Sequence, residues 1–108
     1  MIRDEGSVLE RLTGQLGLDR AEAETYLRAL KEGSISRGGE ACRSLLARGM
    51  LIQASGGEAY LPVHPRLAIS NLFRSFPDRT SAEMKVKRRI ADKLTLELIP
   101  AFEARRRE

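Results

Sequence analysis

Residues 49–63 read GMLIQASGGEAYLPV. Two short runs, 50–55 and 58–63, flank the pair Gly56-Gly57. Adjacent glycines take the positive φ values of a tight turn without strain, so the pattern predicts a two-stranded antiparallel ribbon. Pro62 has no N–H to donate, which suits an edge strand. Gly49 marks the end of a helix immediately before the ribbon.

Upstream of Gly49, Ala41, Cys42, Leu45 and Leu46 form one face of a short third helix, opened by Ser36 or Gly38. Before it, residues 34–36 make an extended link in which only Ile35 can pack inward. A second helix carries Ala23, Tyr26, Leu27 and Leu30 on one stripe. Asp19 caps it, Glu22 completes a capping box three residues on, and Gly33 stops it. In a first helix, Val8, Leu9, Leu12 and Leu16 fall at helical spacing, with Ser7 as its cap and Gly17 at its end.

Downstream, Pro65 fits the first position of a helix running to about residue 76, with His64 as a candidate cap. Pro77-Asp78 breaks the chain there. A last helix is predicted over 81–99. Its Val86, Ile90, Leu94 and Leu98 recur every fourth residue and continue to Phe102. Pro100 predicts a kink or a stop at Ile99, and the basic tail 105–107 reads as frayed.

Composition narrows the class. A chain of 108 residues is one small domain with an appended helix, and the absence of Trp implies a thin core. A single Cys excludes an intrachain disulfide, and with a single His it makes no metal site alone. No apolar run is long enough to span a bilayer, and residues 1–6, MIRDEG, lack the apolar core of a secretory signal. A cytoplasmic protein is the expectation. The glycines fall in caps and turns, and neither phosphate-loop pattern occurs. No triad, metal cage or carboxylate pair is spaced for catalysis, so neither an enzyme nor a cofactor is expected.

Net charge is +4, unevenly spread. Residues 1–33 hold five basic and seven acidic side chains, whereas 66–108 hold eleven basic and six acidic, a balance of +5. Such an excess suits a polyanionic partner.

The predicted class is therefore mainly α with a small β-hairpin: a degenerate winged helix over 1–76 and a coiled-coil-like dimerisation helix over 77–108. The segments LGLD (16–19) and AETYLRALKEG (23–33) resemble the opening of the TrmB-like winged helix-turn-helix transcription regulators. RSLLARGML (43–51) is similar to the end of that family's recognition helix and the entry to its wing. YLPVHP (60–65) is similar to the wing's exit toward a coiled coil. Between Gly33 and Gly49 there is no room for the helix that precedes the recognition helix. The resemblance implies a dimeric DNA-binding protein, sometimes with a sugar-binding domain beyond the coiled coil, which residues 1–108 do not contain.

Candidate DNA contacts are Ser36, Arg37, Arg43 and Arg48 on the third helix, and Lys85, Lys87, Arg88 and Arg89 on the last. Arginine and lysine reach phosphates, and a helix start favours anions. Against this stands the reading of both groups as solvated faces. Val86, Ile90, Leu94, Leu98 and Phe102 are the candidate dimerisation stripe, unless that stripe folds back on the N-terminal helices. The ribbon 53–58 carries no cation, which favours packing or an edge for a partner chain over DNA contact. Two functions follow: a dimeric transcription regulator holding duplex DNA by its phosphates, or a protein–protein interaction module. Cys42 and Tyr26 are expected in the core.

Overall fold

The Asp4 carboxylate accepts from the Ser7 N–H at 3.0 Å and starts α1 (Glu5–Glu10). Ser7, the expected cap, therefore lies inside the helix, because a carboxylate three residues earlier takes the free donor first. A π-helical turn, Arg11–Gln15, continues α1, with the Leu16 N–H reaching the Arg11 carbonyl at 3.0 Å. That wider turn keeps Val8, Leu12 and Leu16, spaced four apart, on one fully buried face. The computed structural model describes residues 4–36, 39–54, 56–57, 59–74 and 82–106. Arg37, Gly38, Ser55, Glu58, Phe76, the Pro77-Asp78 break, Ser81 and Arg107 lie outside the described residues.

Helix α2 (Arg20–Glu32) has the capping box its sequence predicts: Asp19 accepts from the Glu22 N–H at 2.7 Å, and Glu22 from the Asp19 N–H at 3.0 Å. Gly33 ends it at φ 87°. Ile35 then pairs with Tyr60 through two backbone bonds of 3.0 and 2.7 Å. Helix α3 (Gly39–Arg48) closes on Gly49 at φ 82°. A Cβ there would sit 2.6 Å from the Asn71 side-chain nitrogen, which donates to the Gly49 carbonyl at 2.8 Å. Position 49 thus needs glycine for both its backbone and its neighbour.

Strands β1 (Leu51–Gln53) and β2 (Tyr60–Pro62) form the predicted antiparallel ribbon, with Ile52 opposite Leu61. Gly56 and Gly57 make the turn at φ 95° and 74°. Tyr60 donates toward Ile35 and Val63 toward Met50, so alternate N–H groups of β2 face opposite sides. The Pro62 nitrogen falls on the Ile35 side, one step past that single bridge, where no donor is needed.

His64 Nδ1 accepts from the Arg66 N–H at 3.1 Å and caps α4 (Pro65–Phe73), with Pro65 in its first turn. The last helix, α5 (Ala82–Arg106), runs through Pro100 without stopping. Burial of Leu98, Ala101 and Phe102 on both sides of the proline holds the helix together there. The Leu96 carbonyl, which has no N–H four residues on to bond to, belongs to an exposed residue.

Helix α5 packs against α2, α4 and the π-helical turn. Leu94, Leu98 and Phe102, predicted for a dimer seam, are instead buried within their own chain. They join one core cluster with Leu12, Leu16, Tyr26 and Leu30. Val86 faces out at 56% exposure, and Ile90 is half-buried. The physical reason is periodicity. At about 100° per residue Ala91, Leu94 and Leu98 share one face, whereas Val86 lies roughly 110° from the middle of it. Arg11 fastens this arrangement with a two-pronged ion pair to Glu97, at 2.6 and 2.7 Å.

Candidate anion-binding surface

Buried chemistry accounts for one predicted DNA contact. Arg48 Nε lies 2.8 Å from Glu22 Oε2, and the Ser44 hydroxyl donates to the same oxygen. Glu22 is 2% exposed. Burial opposes its charge, but Arg48, Ser44 and the Asp19 N–H together outweigh burial and hold the carboxyl below its usual range. Arg48 therefore balances an internal charge and fastens α3 to α2. Of the other α3 candidates, Arg43 is exposed, on the same face as Glu40 and Ala47, and Ser36 is exposed ahead of the helix. The outer face of α3 is electrically mixed.

The α5 cluster divides as well. Lys87 is half-buried and its helical position falls within the arc of the Ala91–Leu94–Leu98 stripe, while Lys85, Arg88 and Arg89 are exposed. Val86 and Lys87 thus exchange the positions that the sequence pattern predicts, because the register follows Ala91 and Leu94. Arg88 lies over the Phe73 ring at 5.3 Å from its centre. That places it at the mouth of a groove between α4 and α5 of about 430 Å³.

Both walls of the groove follow helical spacing. Arg66, Ile69, Ser70 and Phe73 project from α4, with Arg74 just beyond it. Arg88, Ala91, Asp92, Thr95 and Leu96 project from α5. Ile69, Phe73 and Ala91 are buried and make an apolar floor, and the exposed Arg66, Arg74 and Arg88 stand around it. The described lining residues include three arginines, Arg66, Arg74 and Arg88, and one carboxylate, Asp92. The Thr95 hydroxyl is engaged with the Ala91 carbonyl at 2.7 Å.

Sequence reading missed Arg66, Ser70 and Arg74. Dense basic runs stand out in a sequence, whereas these residues are spaced four apart, two on α4 and Arg74 at its C-cap. The available signal was a cation one turn before and one turn after the apolar stripe of α4.

The remaining singled-out residues are structural. Tyr26 is fully buried, its hydroxyl donates to the Val63 carbonyl at 2.9 Å, and burial raises its pKa far above normal. Cys42 is buried, and burial likewise pushes its thiol up. His64 caps α4 and meets the Phe102 ring edge-on at 4.9 Å. Among the described residues no group of His, Cys, Asp or Glu is placed to hold a metal ion, and no helix is long and apolar enough to cross a membrane. No protein-family model, curated protein or solved structure matches the chain.

Proposed function

We propose that the chain binds duplex DNA through its phosphates, using the α4–α5 face: Arg66, Arg74 and Arg88, flanked by Lys85 and Arg89. The observation carrying this reading is the convergence of arginines from two packed helices on one groove. A phosphate backbone needs such a fixed row of cations, because counterion release supplies most of the affinity. The element order supports the reading. Helix α2, the Ile35 bridge, α3 and the ribbon come in the order expected of a degenerate winged helix that lacks the helix before the recognition helix, and three segments resemble the TrmB-like regulators. The contact surface differs from the sequence expectation, since Arg48 is tied to Glu22 and α3 offers only Arg43 among its described cations. The reading is for a single copy, because Leu94, Leu98 and Phe102 are already covered.

Fluorescence anisotropy with a labelled duplex tests it. Each phosphate contact contributes about −0.9 to the slope of log affinity against log salt. Reversing two charges in Arg66→Glu/Arg88→Glu should therefore flatten that slope by about 2. Absence of binding near roughly 50 mM salt, or an unchanged slope in the variant, overturns the reading. One observation favours a different function in that event. The backbone groups of Leu51 and Gln53 face away from β2, on an uncharged strand whose Ile52 is exposed, so a partner strand can add there.

A further inference from the structure

We infer that the α4–α5 groove is also a binding site for a small amphipathic anion, an alkyl or aryl carboxylate. This goes beyond phosphate binding, which needs the cations alone. The groove has a second feature that a sugar–phosphate backbone does not use: the floor of Ile69, Phe73 and Ala91, extended by Leu96 at 63% exposure. Its volume of about 430 Å³ suits a single small ligand. An apolar floor ringed by convergent polar groups gives a ligand one part for its body and one for its head.

Chemistry selects the ligand's sign and shape. Guanidinium groups grip carboxylates with paired N–H bonds, and Arg88 is held over Phe73, so less rotamer freedom is lost on binding. Asp92 stands one turn from Arg88 and disfavours a second carboxylate beside it. Arg66, Ser70 and Arg74 fall in one row at four-residue spacing along the α4 side. An anion with a single head group and an apolar body satisfies both halves of the groove. A short anion without an apolar body satisfies only the rim, and a neutral alkyl chain only the floor.

Decanoate, decanol and acetate separate these contributions in an amide-shift NMR titration of the full chain. Decanoate should saturate, with the largest shifts at Ser70, Arg88 and Leu96, while acetate and decanol should not. Arg66→Gln/Arg88→Gln should weaken decanoate at least about tenfold, as expected from the loss of charge-assisted bonds. Leu96→Ser, at an exposed position, should weaken it by a smaller factor. Decanol binding as tightly as decanoate, shifts centred elsewhere, or no saturation by decanoate overturns the inference. The comparison of the three probes needs no variant, so a folding defect cannot mask the result. Decanoate binding without DNA binding ends the DNA reading and leaves this site standing; DNA binding without decanoate binding does the reverse.

Discussion

Glu22 has two roles at one position. Its backbone N–H and side chain close the capping box that starts α2, and its second oxygen receives Arg48 and Ser44 from α3. The carboxylate holds its proton less tightly when folded than when unfolded. In the acid range the unfolded chain therefore binds more protons, and stability rises with pH there. This contribution is complete above the ordinary Glu value of about 4.3 and is lost as pH falls through the depressed folded value. Glu22→Gln should cost about 1–3 kcal/mol at neutral pH, the worth of hydrogen bonds to a charged group. The melting temperatures of the two proteins should converge as pH falls from 5 to 3. A constant gap across that range would show that the charge on Glu22 is not what matters. The sequence revealed the first role, because Asp19 and Glu22 are three apart. Its second partner, Arg48, comes from another helix, and local spacing says nothing about a contact that distant.

For whole elements, local chemistry predicted starts and stops better than faces. Gly33, Gly49, Gly56-Gly57 and Pro65 punctuate the chain where their backbone preferences demand, and the ribbon register follows from the glycine turn. At Pro100 the missing N–H predicted a kink or a stop, and of the two the stop does not occur: α5 continues to Arg106. A local penalty of about 3 kcal/mol for an interior proline can be overcome by buried side chains worth about 1.5–3 kcal/mol each. Leu98, Ala101 and Phe102 provide that burial. Pro100 and Leu96 are both exposed. Pro100→Ala should restore the hydrogen bond without disturbing the core and stabilise the protein by about 1–2 kcal/mol. In a domain of this size that is a rise of several degrees in melting temperature, measurable by circular dichroism. A fall instead would mean that the proline ring is needed to seat Phe102.

Across the whole molecule, the decisive question is what covers the apolar stripe of α5. Periodicity alone identifies a stripe but not its partner, since a second copy and the chain's own helices present the same leucines. Tertiary packing chose the latter: α5 lies on α2, α4 and the π-helical turn, and the buried residues form one cluster from Val8 to Phe102. The ion pair of Arg11 with Glu97 lies beside that junction, but it is partly exposed and contributes little beside the core. Leu94→Ala distinguishes the two arrangements. At a fully buried position it should destabilise the fold by about 2–5 kcal/mol, from lost burial and the cavity left behind. Because Leu94 is covered within one chain, the melting temperatures of wild type and variant should not change over a hundredfold range of protein concentration. A dimer seam behaves differently. Its melting point climbs with concentration, and the variant would dissociate to folded monomers visible by sedimentation. Concentration-dependent melting, with Leu94→Ala yielding such monomers, would return the stripe to a second copy and uncouple α5 from the core of its own chain.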